Sequence, residues 1–390
     1  MKIAIIINEL NIKGGTHKQV LRLCQYLREQ NIEFVIVTKY FDPMKTYTEF
    51  SDFDIKYLSK DDSICELRKN LISKVHRFIK KSKLDRKLYA LIPKDCDIIN
   101  VHDYGLDRII KYAENDHRNV VWQINDLPGW FNVGVTSKEK DSIEKKMKRW
   151  ITRYCTKNVD AITVNVTKNA ERVQKCLNKS ARVLYCGVDV NEALIKHHYK
   201  EGAAEFRLLS MGVFFPYRNY ETLVEVIKKL KEDSIHIRLD IIGNTEWDKK
   251  YTEKISSLIS EYKLDRTIKI WGQVDDETYT ELFNEADAFA FINIEQSWGL
   301  AVFEAMSAGL PTIVSNSVGA IELLHNGKDS IIVNPQNVDE ISDVLKHLLI
   351  DSDYYNRISD EAARVVKEFT WEKLYSSKML EIFEKMEKKR

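Results

Sequence analysis

The feature that most constrains the fold is an alternation of short β-branched runs with longer helical segments, and this alternation occurs twice along the chain. In the first half, apolar runs predict strands at residues 2–7, 33–38, 97–101, 120–124, 161–164 and 181–185. After a polar segment at 190–205 the pattern restarts, with strands predicted at 207–211, 238–242, 267–271, 288–292, 312–314 and 330–333. Strands separated by helices predict parallel βαβ units, and the restart predicts two such domains.

The predicted architecture is therefore α/β, with two Rossmann-like domains that face each other across a cleft. We expect residues 1–195 to form the first domain and residues 196–370 to form the second. The final segment, 371–390, has the pattern of one amphipathic helix, which we expect to cross back and join the first domain. In open α/β sheets ligands bind outside the carboxyl ends of the strands, so the expected site is the cleft.

Composition excludes several other classes of protein. Hydrophobic residues make up 44% of the chain and charged residues 31%, which is typical of a folded globular protein. Six cysteines are far apart and include no C-x-x-C pair, which disfavours a zinc site or a disulfide framework and fits a reducing compartment. The apolar run at residues 3–7 is too short for a signal peptide, and no run approaches the ~20 residues of a membrane span. We therefore expect a soluble, cytoplasmic protein.

The balanced net charge of +1 hides a strong asymmetry between the two halves. Residues 1–190 contain 35 Lys and Arg against 24 Asp and Glu, a net of +11, whereas residues 191–390 contain 25 against 35, a net of −10. Two basic clusters, 66–87 and 138–149, contribute to the first value. A basic amphipathic helix is typical of an anionic membrane surface, but a helix packed on its own core with a solvated Lys face has the same pattern. Aromatic residues do not alternate with the basic runs, which disfavours nucleic-acid binding.

The strand predicted at 288–292 leads into a helix whose start has the properties of a phosphate site. Ser297 is placed to cap that helix, and Gly299 allows a phosphate to approach the backbone. Free N–H groups and the positive dipole end of a helix start favour an anion. Glu304 follows Leu300 by about one turn, where its carboxylate can accept two hydrogen bonds from a ribose diol. The alternative is an ordinary strand–helix unit with a solvated Glu304.

The segment 295–311 resembles the signature of the retaining glycosyltransferases of family 4, the glycosyl transferases group 1, which have the GT-B fold. That signature is Glu, seven residues, Glu, and then Ala-Met-x-x-Gly-x-Pro, and its second part is matched by Glu304, Ala305, Met306, Gly309 and Pro311. The resemblance implies that Glu304 binds the donor ribose and that the first Glu touches the donor sugar. It also implies that the diphosphate is held by loop amides, which here belong to Ser297, Trp298, Gly299, Leu300 and Ala301.

The first part of the signature departs from the family pattern. The position of the first Glu is occupied by Gln296, and Glu295 lies one residue earlier. Either Gln296 makes the sugar contact, with the hydrogen-bonding shape but without the charge, or a one-residue shift presents Glu295. We favour Gln296, because Trp298, Gly299 and Leu300 then stay in register.

Other segments extend the resemblance over nearly the whole chain. Gly14 and Gly15 follow the first strand, where the family has a glycine-rich loop near the diphosphate. The segment 212–219 is similar to the family's Gly-Arg-x-x-x-x-Lys-Asn, with Arg218 at the Lys position and Asn219 after it. Arg218 retains the cation that neutralises the diphosphate, whereas Val213 stands where many members have Arg. The alternative for Arg218 is a solvated cap of the next helix.

The remaining candidates follow predicted strands. Gly243 and Val274 end strands that face the cleft, and the family places the nucleotide base near the latter. On the acceptor side, the resemblance implies that His102 reaches the transferred sugar, although a His at a strand end is equally compatible with a structural role. Asp126 occupies the second position of a pair where the family often has His-Asp. No Asp-x-Asp spacing follows a strand, so we expect no metal site.

The expected function is that of a retaining, metal-independent hexosyltransferase that requires no cofactor. The donor is a nucleotide-diphospho-sugar, and the acceptor is a hydroxyl of a glycan or lipid-linked glycan in surface polysaccharide synthesis. This places the protein in the cytoplasm or peripherally on the cytoplasmic face of the membrane. The alternative, motivated by Gln296 and Val213, is a catalytically weak GT-B scaffold or a glycan-binding subunit of a larger complex. A nicotinamide dehydrogenase is disfavoured, because no G-x-G-x-x-G follows a strand.

Overall fold

The computed structural model describes residues 1–60, 71–132, 142–190, 205–295 and 298–388, and for residues 71–80 it describes the backbone alone. The chain divides into two compact units. One consists of Met1–Gly187 together with Trp371–Arg390, and the other of Val188–Thr370.

The first unit contains a seven-stranded parallel sheet in the order β3-β2-β1-β4-β5-β6-β7. Its strands are β1 (Lys2–Leu10), β2 (Glu33–Phe41), β3 (Ile55–Ser59), β4 (Ile98–His102), β5 (Asn119–Ile124), β6 (Ala161–Val164) and β7 (Arg182–Val183). Its helices are α1 (Gly15–Glu29), α2 (Leu71–Ala90), α3 (Asp107–Asn115), α4 (Ile143–Cys155) and α5 (Thr167–Leu177).

The C-terminal residues belong to this first unit. They were predicted to form one amphipathic helix, and residues 371–387 are helical without a break, with a π-helical stretch, Glu372–Ser376, before the α-helix Ser377–Glu387. Arg182 of β7 pairs with Glu381 at 3.1 Å, and the amino group of Met1 pairs with Glu387 at 2.9 Å. These ion pairs join the end of the chain to β7, at one edge of the sheet, and to the start of β1, in its interior.

The second unit contains a six-stranded parallel sheet in the order β10-β9-β8-β11-β12-β13. Its strands are β8 (Phe206–Met211), β9 (Ile237–Ile242), β10 (Ile268–Gly272), β11 (Ala288–Phe291), β12 (Thr312–Ser315) and β13 (Ile331–Val333). Its helices are α6 (Tyr220–Glu232), α7 (Lys249–Glu261), α8 (Asp276–Glu285), α9 (Leu300–Ser307), α10 (Val338–Ile350) and α11 (Ser352–Val365). The last helix of the chain, α12 (Ser377–Glu387), belongs to the first unit.

The apolar runs that predict the strands are the runs that the structure buries. Ile5, Ile6 and Ile7 have at most 1% of their surface exposed although consecutive side chains of a strand point to opposite faces. Burial on both faces is what a parallel sheet covered by crossover helices requires. Each unit contains a cluster of buried apolar side chains, so each sheet has its own hydrophobic core.

Two strands differ from the prediction. Strand β3 was not predicted, and β7 is limited to Arg182–Val183 although residues 181–185 were predicted to be extended. Both are edge strands, since β3 pairs only with β2 and β7 only with β6. An edge strand is partly exposed, so its apolar periodicity is weaker than that of a central strand.

Candidate functional site

The order of strands changes direction once in each sheet, and these positions define where a ligand site is expected. In the second unit the change falls between β8 and β11, and in the first unit between β1 and β4. At such a point the connections leave their strands toward opposite sides and leave a crevice at the carboxyl ends. Most of the candidate residues predicted from the sequence follow these same strands, whereas Asp126, Gly243 and Val274 follow β5, β9 and β10.

In the second unit the structure brings together the segments that follow β8 and β11. The N–H of Ile294 donates to the carbonyl of Tyr217 at 2.7 Å. The side-chain amide of Asn219 donates to the carbonyls of Ile292 at 3.3 Å and Pro335 at 2.6 Å. Asn219 is buried and has the left-handed backbone conformation, with φ of 59°. Its side chain therefore stabilises the loops of the site, and we expect it to act on a ligand through them.

Arg218 ends the 3₁₀ helix Pro216–Arg218 and is partly buried. Its guanidinium carbon lies 5.1 Å from the centre of the Tyr217 ring and 5.6 Å from that of Phe291. A Cβ atom at Gly212 would lie 2.4 Å from this guanidinium carbon, so the glycine makes room for it. Because two aromatic rings and a glycine shape its surroundings, Arg218 is more than a solvated helix cap.

The structure corrects the predicted start of helix α9. The N-cap position is Gly299, with φ of 139°, whereas Ser297 was predicted to cap the helix. The helix begins at Leu300, so the amides of Leu300 and Ala301 lie in its first turn. A Cβ atom at Gly299 would lie 3.0 Å from the Phe291 ring, the same ring that Arg218 approaches. The Arg218 guanidinium and the first residues of α9 therefore lie against the same Phe291 ring.

The two positions that concern the donor sugar are only partly described. Gln296 and Ser297 lie outside the described residues. Glu295 is exposed and has a φ of 57°, an uncommon conformation for a residue other than glycine. The choice between Gln296 and Glu295 as the sugar contact therefore stays a prediction.

Glu304 lies in the second turn of α9 and is partly buried. Its carboxylate accepts a hydrogen bond from the hydroxyl of Tyr279, on helix α8, at 3.3 Å. Burial and the negative charge of Glu304 raise the pKa of Tyr279, so the phenol stays protonated and remains a donor. Tyr279 was missed by the sequence analysis, because nothing in the spacing of α8 and α9 indicates that these two side chains meet.

The remaining candidates of the second unit are Trp298, Gly243 and Val274. The side chain of Trp298 is 4% exposed and stacks on Phe303 with 5.2 Å between ring centres. Gly243, with φ of 147°, follows β9 where a Cβ atom would lie 1.9 Å from the carbonyl oxygen of Gly212. Val274 precedes Asp275, the residue that caps α8.

In the first unit, Gly14 and Gly15 lie at the start of helix α1, after strand β1. Gly14 is the N-cap residue and Gly15 is the first helical residue. A Cβ atom at Gly14 would lie 3.2 Å from Nδ1 of His17, whose Nε2 lies 3.0 Å from the carbonyl oxygen of Glu9. The helix start therefore offers backbone N–H groups to an anion, as the resemblance implies for this loop.

His102 is the last residue of β4, and its side chain is completely buried. Its Nε2 lies 2.8 Å from Oδ1 of Asn100, whose amide nitrogen donates to the carbonyl of Val121. The amide oxygen of Asn100 accepts, so Nε2 carries the proton and Nδ1 has the lone pair. Burial, together with His17, lowers the pKa of His102 to about 3, so the ring is neutral at physiological pH. The contact of His102 with a sugar stays a prediction.

A polar network surrounds the carboxyl ends of β4 and β5. The amide of Asn125 donates to Thr16 at 3.0 Å and to Gln19 at 2.7 Å, which joins β5 to helix α1. Asp126, the predicted site residue, is exposed. Asp103, which the prediction did not select, has a φ of 68° and accepts a hydrogen bond from Thr16 at 3.4 Å. Burial, with the charge of Asp126, raises the pKa of Asp103 to about 7.

The raised pKa of Asp103 leads to a testable prediction. Asp103→Asn should increase the free energy of unfolding by about 1–2 kcal/mol at pH 8 and change it little near pH 4. Folding raises this pKa from 3.8 to about 7, so the contribution of Asp103 to stability is fully present below pH 3.8 and is lost as the pH rises through 7. Asn retains the acceptor for Thr16 and also tolerates the positive φ.

The measurement is urea denaturation of wild type and variant at intervals from pH 4 to pH 8. Asp97→Asn is a suitable comparison, since Asp97 accepts a hydrogen bond from the N–H of Lys2 at the opposite, amino end of the same strand region. A difference between Asp103→Asn and wild type that does not grow with pH would contradict the assignment.

Two negative findings concern the described residues only. Within them, no group of three or more His, Cys, Asp or Glu side chains is arranged to hold a metal ion. None of the helices in the described ranges is long and apolar enough to cross a bilayer.

Comparison with known proteins agrees with the fold. The Glycosyltransferase Family 4 model matches residues 13–192, and the Glycosyl transferases group 1 model matches residues 192–365. Sucrose synthase 5 of Arabidopsis thaliana is 32% identical over 138 residues, 33% of this chain and 16% of that protein. The serotype-specific mannosyltransferase WbdA of Escherichia coli is 26% identical over 165 residues, 42% of this chain and 20% of that protein. The chain thus matches a fifth or less of the length of these two curated relatives.

A solved structure extends the likeness to the whole fold. The crystal structure of HepE from Anabaena in complex with UDP and glucose matches with a TM-score of 0.75 at 13% identity. The match covers 99% of this chain and 100% of that one. Two adjoining family models and this fold define a glycosyltransferase of the GT-B type. The chain belongs to glycosyltransferase family 4, the glycosyl transferases group 1.

Proposed function

We infer that this protein transfers a hexose from a nucleotide-diphospho-sugar to a hydroxyl acceptor with retention of anomeric configuration. The observation that carries this inference is the arrangement at the switch point of the second unit. There a partly buried guanidinium, that of Arg218, and the start of helix α9 approach the same Phe291 ring. Glu304 follows one turn later on the same helix. A cation, free helix amides and a fixed carboxylate are the groups that a nucleoside diphosphate requires.

Each part of the donor has a candidate partner. The ribose diol donates to Glu304, which Tyr279 holds in place. The diphosphate is bound by Arg218 and by the amides that follow Gly299, and the Gly14-Gly15 amides are proposed to contribute as well. The base is placed beside Gly243 and Val274. The sugar is contacted by Gln296, or by Glu295 if the register shifts by one residue.

The chemistry follows from where charge develops. When the bond to the sugar breaks, the leaving diphosphate gains negative charge, which Arg218 and the amides of α9 stabilise without moving. We propose front-face attack, in which the departing phosphate oxygen takes the proton of the acceptor hydroxyl. His102 is neutral over the working pH range because its pKa is about 3, which suits a hydrogen-bonding role toward the sugar. The proposed mechanism uses neither a metal ion nor a cofactor.

What is known of similar proteins supports the donor class. The HepE structure was solved with UDP and glucose, and WbdA is a mannosyltransferase. We propose that the acceptor is a glycan or a lipid-linked glycan of surface polysaccharide synthesis. The net charge of +11 on residues 1–190 suits an acceptor presented at an anionic membrane, with the protein cytoplasmic or peripheral on its cytoplasmic face.

One pair of residues favours a second candidate function. Gln296 replaces the first carboxylate of the signature and Val213 replaces a cation, so one charge that would face the sugar and one that would face the diphosphate are missing. These changes fit a GT-B scaffold that binds a glycan or a partner enzyme and transfers sugar poorly. This alternative predicts donor binding that is weak or absent.

The two functions are separated by calorimetric titration with UDP-, GDP-, ADP- and dTDP-linked hexoses. The transferase predicts that one base binds at least about tenfold more tightly than the others, because its edge is hydrogen-bonded in a built site. Once the donor is known, the anomeric configuration of the product by NMR tests retention, and assays with and without a chelator test metal independence. Absence of binding to all four donors would favour the scaffold.

A further inference from the structure

Helix α4 has an exposed apolar stripe, which we define as Ile143, Met147, Trp150 and Tyr154. These side chains are 86%, 56%, 66% and 57% exposed. Of the twelve large apolar side chains that are exposed among the described residues, these four lie on one helix of 13 residues. Spacings of four, three and four residues place them within an arc of about 60°, since each helical residue turns by ~100°. The stripe is therefore one continuous face.

The opposite face of α4 is fixed to the first unit, so the stripe is held outward. Arg149, Thr152 and Cys155 are buried. Thr152 donates to a carboxylate oxygen of Asp107, on α3, at 3.1 Å. Arg153 donates to the carbonyl of Cys176, on α5, at 2.6 Å. These contacts fix the rotation of the helix about its axis, so the four side chains of the stripe stay exposed among the residues that the structure describes.

The polar residues beside the stripe are mostly basic. Helix α4 contains five Lys and Arg residues and one Glu, so its net charge is +4. Lys146 and Arg153 flank one side of the stripe, and on the other side Glu144 lies nearest to it and pairs with Lys148 at 2.9 Å. A second copy of this helix, or any other basic partner, would be repelled by this charge.

The aromatic rings add a feature specific to lipid interfaces. Trp150 and Tyr154 stack with 6.0 Å between ring centres, and the amino group of Lys111 lies 5.4 Å from the Tyr154 ring. The amino group of Lys148 lies 5.1 Å from the ring of Trp130. Trp and Tyr beside Lys are the composition of protein surfaces at the level of lipid headgroups, where the ring enters the apolar boundary and the amine meets phosphate.

We propose that the stripe of helix α4 is the surface by which this protein docks on an anionic lipid bilayer, with the four apolar side chains inserted below the headgroups. The basic residues around the stripe pair with lipid phosphates. This proposal rests on the membrane part of the proposed function and places it on α4. It assigns no part of the contact to residues 66–87, of which 66–70 lie outside the described residues and 71–80 are described by their backbone alone.

The test compares two triple variants of the full chain that remove the same three residue types. Ile143→Ser/Met147→Ser/Trp150→Ser removes most of the stripe. The control, Met44→Ser/Trp247→Ser/Ile350→Ser, removes side chains that are 90%, 60% and 76% exposed elsewhere. Both leave the net charge unchanged. Binding is measured by co-sedimentation with phosphatidylcholine vesicles that contain a quarter phosphatidylglycerol.

The stripe variant should bind these vesicles at least about tenfold more weakly than wild type, and the control within about twofold of it. Lys146→Gln/Lys148→Gln should weaken binding about tenfold at low salt, with a smaller effect at high salt. Equal vesicle binding by the stripe variant and wild type overturns the proposal. So does light scattering that shows a dimer which the stripe variant abolishes, because a second copy would then be the occupant.

Donor titrations on the same samples separate this proposal from the proposed function. If the chain binds vesicles through the stripe but binds no nucleotide sugar, only the transferase fails. If donor binding is normal and vesicle binding is absent, only the docking surface fails.

Discussion

Replacing Glu304 by Ala should weaken binding of the preferred nucleotide sugar by about a hundredfold or more. A carboxylate that accepts two hydrogen bonds from a ribose diol contributes about 1.5 kcal/mol through each, and ~3 kcal/mol corresponds to roughly that loss in affinity. In the structure Tyr279 holds the Glu304 carboxylate in place, so little side-chain entropy is lost when the donor binds. Calorimetric titration with the nucleotide sugar and with the free nucleoside diphosphate measures the effect.

Three further variants show where the loss arises. Glu304→Gln keeps the shape of the side chain and should recover part of the affinity, because one amide oxygen still accepts. Tyr279→Phe removes only the residue that orients Glu304 and should cost about threefold to tenfold. Gln296→Ala should affect the nucleotide sugar less than Glu304→Ala does and leave the free diphosphate unaffected. Equal affinities of Glu304→Ala and wild type would remove the ribose assignment.

Replacing Gly243 by Ala should destabilise the second unit by about 3 kcal/mol or more, which is among the larger effects of single substitutions. A Cβ atom there would lie 1.9 Å from the carbonyl oxygen of Gly212, so backbone at the ends of β8 and β9 has to separate. The same carbonyl accepts a hydrogen bond from the buried hydroxyl of Tyr220 at 2.9 Å, which would be strained or lost. The φ of 147° adds a conformational cost for any residue with a Cβ.

A second glycine separates the two causes. Gly327 also has a positive φ, 72°, but a Cβ atom there would meet no atom within 4 Å, so Gly327→Ala should cost only about 1 kcal/mol. Urea denaturation gives the total change, and hydrogen exchange of peptides from β8 and β9 localises it. If the two variants are equally destabilised, the close approach of Gly243 to Gly212 is not what requires glycine.

Local patterns determined the fold because the strands are central and parallel. Residues 2–7 and 288–292 are apolar at nearly every position, as burial on both faces of a sheet demands, and each run forms a strand. Strand β3, which pairs on one side only, was not predicted. Its sequence, Ile-Lys-Tyr-Leu-Ser, has neither a continuous apolar run nor strict alternation, and pairing with β2 decides its conformation.

The candidate site was predictable to the extent that its residues follow one another in sequence. The segment 288–311 shows by itself a strand, a turn with glycine, a helix and a carboxylate one turn in, and its part 295–311 carries the resemblance to family 4. The N-cap was predicted wrongly as Ser297 rather than Gly299, because cap preference is weaker than the close packing of Gly299 on Phe291 and Val318. Element ends depend on such contacts more than on propensity.

What the sequence by itself determined is the order of elements, the two parallel sheets and the identity of the groups placed after β8 and β11. Only the tertiary structure decided which groups meet. It formed the hydrogen bonds from Tyr279 to Glu304 and from Thr16 to Asp103, and it brought Gly212 next to the guanidinium of Arg218. It also left the apolar stripe of α4 exposed. The physical reason is range: hydrophobic period and backbone propensity act over a few residues, whereas pKa, burial and ligand geometry depend on neighbours that are far apart in the chain.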